Sequence, residues 1–126
     1  MIEIFAYRNG GYYRLYVTGH ADYHPGNDVV CAGVSALTGA LFAYASRSPD
    51  CRHLRCFSER GTAFLACRGG LGAAFEAVAE GLSQIAASYP DHVRYTRLAA
   101  EGRPKNNAVT GPAAPAAGAV NVRKHA

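Results

Sequence analysis

Asn9-Gly10-Gly11 separates two stretches, "IEIFAYR" and "YYRLYVTGH", that are rich in β-branched and aromatic residues. An Asn-Gly pair between two such runs is a strong hairpin signal, because the tight turn needs positive φ angles that Asn and Gly tolerate. The chain must therefore begin with two antiparallel strands. In the second, Tyr13, Leu15 and Val17 share one face, and Arg14, Tyr16 and Thr18 the other. Gly19 can then release the backbone from strand geometry just before His20.

Residues 20–28 read as a loop containing Pro25-Gly26-Asn27, and Asp28 or Asn27 is suited to cap a helix beginning at Val29. That helix should stop near Arg47, ahead of Ser48-Pro49-Asp50. Helical spacing sorts it into three stripes. Val30, Val34, Leu37, Leu41 and Tyr44 form a core stripe. Ala32, Ala36, Gly39 and Ala43 form a small-residue stripe suited to close approach by another backbone or a second subunit. Cys31, Ser35 and Thr38 form a polar seam between them.

"CRHLRCFSERGTAFLACRG" is a second hairpin turning near Glu59-Arg60-Gly61. Residues 73–88 make an amphipathic helix with Phe75, Val78, Leu82 and Ile85 inward and Glu76, Glu80 and Gln84 outward. "HVRYTRL" offers a short final strand. The expected fold is α+β in β-β-α-β-β-α order: an antiparallel sheet built from two hairpins, with two main helices on one face. The other face is left for solvent or a second subunit. Residues 1–100 form this domain, and the Ala/Pro/Gly-rich, basic stretch 101–126 reads as a disordered tail.

Charge limits the partners. The formal net charge is +4, but through Glu101 nine Arg balance nine Asp and Glu, so Arg103, Lys105, Arg123 and Lys124 supply the excess. A folded nucleic-acid binder is expected to carry its own basic face, so no direct nucleic-acid binding by the folded domain is expected. The start lacks a basic segment followed by an apolar one, which points away from secretion. The longest uncharged run, Val29–Ser46, is studded with Gly, Ser and Thr and reads as a buried core helix rather than a membrane span. Four cysteines without a secretory signal suit a reducing cytoplasm, with Cys56 and Cys67 expected in the core.

The junction at residues 19–37, "GHADYHPGNDVVCAGVSAL", holds the chemistry-bearing residues. A nucleophilic cysteine needs its thiolate favoured, and a helix N-terminus and a nearby histidine both do this. Cys31 lies in the first turn of its helix, where unpaired N–H groups could also hold the oxyanion of a tetrahedral intermediate. His20 stands across a short loop from it. On residue types alone, a structural cysteine and a surface histidine are the commoner readings, so both stay open. His20 and His24 also make an H-x-x-x-H spacing that raises a metal site with Cys31 or His53. Structural zinc prefers closely paired ligands such as C-x-x-C, which are lacking, so no metal is expected.

The segment resembles the ribosomal-processing cysteine protease family, Prp. The resemblance rests on "GHA" at Gly19–Ala21, a variable loop, and "GNDVVCAGVSAL" at Gly26–Leu37, close to the pattern G-H-A, loop, G-x-D-[IV]-V-C-A-[AG]-V-S. It implies a catalytic His20 and a nucleophilic Cys31, with Gly19, Gly26, Asp28 and Ser35 at motif positions lining the same site. It further implies a cytoplasmic homodimeric endopeptidase without cofactors. Its substrate would be the N-terminal extension of a large-subunit ribosomal protein, the twenty-seventh of that series, and "ADYHPGND" would be a flexible lid. Asp28 suits a helix cap, orientation of His20 or a substrate contact, and Ser35 either a contact near the sulfur or a bond back to a helical carbonyl. The rival readings are a non-catalytic ribosome-associated or RNA-binding assembly module of the same fold, and a thiol hydrolase of small acyl substrates.

Overall fold

The computed structural model describes residues 1–20 and 28–100. Gly26, with the rest of the loop around His24 and Pro25, and the tail beyond residue 100 lie outside them. The elements are β1 (Ile2–Asn9), β2 (Tyr12–Thr18), α1 (Val29–Arg47), β3 (Cys51–Glu59), β4 (Thr62–Gly69), α2 (Gly72–Ser88) and β5 (Val93–Leu98). The two hairpins and two helices fall in the expected order. The five strands form one sheet in the order β3-β4-β2-β1-β5. Four strands pair antiparallel, and β5 joins β1 in parallel, which makes the sheet mixed.

Topology explains why both helices share a face. The crossover β2-α1-β3 and the crossover β4-α2-β5 move in opposite directions across the sheet, and they leave from antiparallel strands. A common right-handed connection then puts both on the same side. There Ile4, Leu15 and Leu65 of the sheet meet Val30, Val34 and Leu41 of α1 and Phe75 and Leu82 of α2, all almost fully buried.

α1 departs from its expected stripes. Thr38 and Ala45 are buried with Val30, Val34 and Leu41, whereas Leu37 is half-buried and Tyr44 is 49% exposed. The inward stripe is narrow and runs to Ala45 in the last turn, so Leu37 and Tyr44, which lie beside it, are only partly covered or exposed. By length and composition α1 would be able to cross a membrane, but in this fold that stripe is packed on the sheet. Cys67 is in the core as expected, whereas Cys56 is exposed, because β3 is the edge strand and lies past the shelter of the helices.

Glu76, expected outward, is half-buried in an ion cluster. Arg97 Nη1 and Nη2 donate to its Oε1 and Oε2 at 2.9 and 2.8 Å, and Arg8 Nη1 donates to Oε2 at 3.3 Å. Arg8 and Arg97 occupy core-facing positions of β1 and β5, where the α2 carboxylate meets both, and Arg8 Nε also donates to the Gly10 carbonyl at 2.9 Å. The cluster clamps α2 to both strands at the end of the sheet near the first hairpin turn.

Candidate active site

At the opposite end, the exit of β2, the first turns of α1 and the β3–β4 turn surround a cavity of about 270 Å³. His20 and Cys31 both line it, together with Gly19 and Ser35. Asp28 stands at the start of α1 as its N-cap.

Two glycines position the histidine. Gly19 has φ +103°, and a Cβ there would run into the Met1 carbonyl, so the sharp exit from β2 requires glycine. Its N–H donates to the Gly61 carbonyl at 2.9 Å, and the Met1 amino group donates to the His20 carbonyl at 2.6 Å. The backbone before the imidazole is thus tied to two neighbouring segments. The ring itself lies over Gly61, where a Cβ would sit 3.1 Å from His20 Nε2.

Cys31 is half-buried in the first turn of α1. The cap reading of Asp28 holds: its Oδ1 accepts from the N–H groups of Val30 and Cys31 at 3.0 and 2.9 Å. The Asp28 carbonyl accepts from Ala32 N–H at 3.1 Å. This corrects one expectation, that these N–H groups stand ready for an oxyanion. A carboxylate already occupies the positive end of the helix.

The polar seam of α1 faces the cavity throughout, since Cys31, Ser35 and Thr38 all line it. Thr38 is 5% exposed, and its Oγ1 has no hydrogen-bond partner among the described residues. Ser35 is exposed, and the back-bond considered for it is instead made by Ser46, whose hydroxyl donates to the Phe42 carbonyl at 2.9 Å. Sequence reasoning missed Gly61, Phe42 and Glu59, which the cavity gathers from distant segments. Only the Gly61 turn left a sequence signal, and nothing in it pointed toward His20. Among the described residues, no three His, Cys, Asp or Glu side chains are grouped as metal ligands would be.

A sequence profile for the cysteine protease Prp matches residues 1–94. The chain belongs to the cysteine protease Prp family. Solved structures share the Prp fold. One is the essential ribosomal processing protease Prp from S. aureus in complex with a covalently linked product peptide. It has a TM-score of 0.63 and 22% identity, with 77% of this chain and 99% of that chain covered. The same protease with a substrate peptide gives a TM-score of 0.58, again at 22% identity and with the same coverage. SMU.848 from Streptococcus mutans gives a TM-score of 0.61 at 25% identity, covering 79% of this chain and 96% of that chain. No curated protein matches the chain.

Proposed function

We propose that the chain is an endopeptidase with a His20–Cys31 dyad that trims the N-terminal extension of a large-subunit ribosomal protein, the twenty-seventh of the series. The observation that carries this reading is the shared cavity: a histidine and a helix-start cysteine from separate elements line one open space. The Prp structures from S. aureus, which hold a substrate peptide and a covalently linked product peptide, support a peptide substrate and a covalent step.

The chemistry follows from the two side chains. His20 takes the proton of Cys31, and the sulfur attacks the scissile carbonyl carbon. The tetrahedral intermediate collapses with loss of the C–N bond as His20 gives its proton to the leaving amine. Water, deprotonated by His20, then releases the acyl product and regenerates the thiol. Ser35, one turn beyond Cys31, lines the same cleft, Gly26 is a further motif position outside the described residues, and Asp28 holds the helix start in place. No cofactor enters this sequence of steps. We place the enzyme in the cytoplasm as a homodimer, which light scattering checks as twice the 13.3 kDa chain mass.

Incubation with the extended ribosomal protein, followed by mapping of the new N-terminus by mass spectrometry, tests the assignment. One cleavage is expected, abolished in Cys31→Ala and strongly slowed in His20→Ala. No cleavage by the wild type, or undiminished cleavage by Cys31→Ala, overturns it.

A further inference from the structure

The cavity extends well past the dyad, and α1 forms its long wall. Cys31, Ser35 and Gly39 succeed one another on one stripe of that helix, and Phe42 stands farthest from Cys31. Ser35 and Gly39 are exposed at the rim, whereas Val34 and Thr38 are buried and make the floor. Val17 of β2 and Ala63 of β4 face them. Thr38 follows Cys31 by seven residues, about 10 Å along the helix axis. An extended peptide advances about 3.3 Å per residue, so a substrate held at Cys31 can bring a side chain to this floor from within three residues of the scissile bond.

Two observations mark the inner end as built for a ligand. A threonine within a helix ordinarily gives its hydroxyl to a carbonyl one turn back, as Ser46 does on this helix. Thr38 Oγ1 makes no such bond and is buried without a partner among the described residues. A valine there would spare the fold that cost, so stability does not account for the hydroxyl. Gly39 is the second. A helix interior disfavours glycine relative to alanine, yet a Cβ at this position would meet no atom within 4 Å. Nothing in the packing requires glycine, and its bare backbone keeps the rim of the cavity open.

The chemistry of the floor limits what can occupy it. Among the described lining residues the one acid is Glu59, on the exposed hairpin turn, and no Lys or Arg lines the cavity. A charged tip brought to Thr38 would lose its hydration without a counter-charge. An apolar tip would leave the buried hydroxyl unpaired. A neutral hydrogen-bonding tip on an apolar stem meets both demands, with the stem against Val17, Val34 and Phe42 and the tip on Thr38.

We propose that Thr38 is a specificity-determining residue, its hydroxyl bonding the neutral polar tip of a substrate side chain, glutamine- or tyrosine-like, in a subsite that Gly39 keeps open. The inference rests on the peptidase reading of the cavity and adds which side chain the site prefers near the scissile bond.

Synthetic peptides spanning the cut in the ribosomal extension test it, with each of the three residues on either side of the bond replaced in turn by Gln, Met, Tyr or Phe. Competition assays read by mass spectrometry give relative kcat/KM. At one position Gln should exceed Met, or Tyr exceed Phe, by roughly tenfold, and the pair that responds separates the amide from the phenol. Thr38→Val should erase that preference and leave the ranking at other positions unmoved, whereas Thr38→Ser should retain it. Gly39→Ala should raise the thermal midpoint and lower kcat/KM severalfold for the preferred peptide. The same peptides titrated calorimetrically into Cys31→Ala read the subsite without cleavage. A Thr38-dependent binding preference without cleavage by the wild type would refute the peptidase reading and leave the subsite standing. Cleavage at equal rates within every pair, a preference that Thr38→Val leaves in place, or cleavage undisturbed by Gly39→Ala overturns the subsite. Neither cleavage nor binding overturns both.

Discussion

Glu76→Gln removes the charge at the centre of the Arg8–Glu76–Arg97 cluster while keeping the side chain's shape. The arginine side chains are only 4% and 12% exposed, so neither can turn to water for compensation. Breaking a buried pair by removing one partner costs roughly 3–5 kcal/mol, because the remaining charge is stranded. Glu76 is 22% exposed, and glutamine can still accept one of the bonds, so the lower end, about 3 kcal/mol, is expected here. The pH dependence adds a second signature. Burial alone would raise the Glu76 pKa, but the hydrogen bonds and charges of Arg97 and Arg8 outweigh it and hold it below the ordinary carboxylate value. A depressed folded-state pKa stabilises the protein above the unfolded-state pKa, and that contribution is lost as pH falls through the folded value. Urea unfolding followed by circular dichroism should therefore show a midpoint lowered by about 1–3 M at pH 7. The difference from wild type should shrink in acid. The cluster lies six strand residues from Ile2 at the cavity, about 20 Å away. Cleavage by the folded variant at low temperature should then match wild type. A midpoint shift near zero, or a folded variant with lost activity, refutes the reasoning.

Three further outcomes follow from the cavity and the core. Gly61→Ala forces a Cβ to 3.1 Å from His20 Nε2 at φ +78°, so cleavage should fall by tenfold or more, with a stability cost of about 1 kcal/mol in denaturant titration. Thr38→Val removes a buried hydroxyl that has no partner among the described residues, so the thermal midpoint should stay or rise. A loss above about 1 kcal/mol would mean that the hydroxyl is bonded in solution. Burial, with Cys51 alongside, pushes the Cys67 thiol up to about 12. Iodoacetamide at pH 8 should therefore modify exposed Cys56 and spare Cys67 in the native protein, with equal labelling after unfolding, and native labelling of Cys67 would contradict its burial.

The hairpins were legible because local chemistry decides them: Asn9-Gly10 and Gly61 supply the turns, and alternation assigns faces. The seam of Cys31, Ser35 and Thr38 followed from helical spacing, and Asp28 from capping rules. What depended on partners distant in sequence was not legible. Glu76 reads as an outward acid until β1 and β5 bring Arg8 and Arg97 beneath it. Cys56 reads as core until β3 proves to be an edge strand. Gly61 reads as a turn glycine, and only the fold sets it beneath His20. Family membership was legible in "GHA" and "GNDVVCAGVSAL", a pattern long enough to stand above local ambiguity.

Asp28 alters how Cys31 can be activated. A bare helix N-terminus favours a thiolate through its unpaired N–H groups and positive end. Here a carboxylate accepts from two of those groups, Cys31 N–H among them. Its negative charge opposes a second one on the neighbouring sulfur, so the dipole contributes little to activation and the demand on His20 grows. The oxyanion meets the same obstacle, because Cys31 N–H can serve it only by leaving Asp28. Asp28→Asn separates these effects, since asparagine caps about as well as aspartate without the charge. Stability should change by only a few tenths of a kcal/mol, whereas Asp28→Ala should cost about 1 kcal/mol. The pH midpoint of Cys31 alkylation should move down in Asp28→Asn and up in His20→Ala. If Asp28→Asn leaves that midpoint in place, the carboxylate does not compete with the thiolate, and the helix end activates Cys31 even when capped.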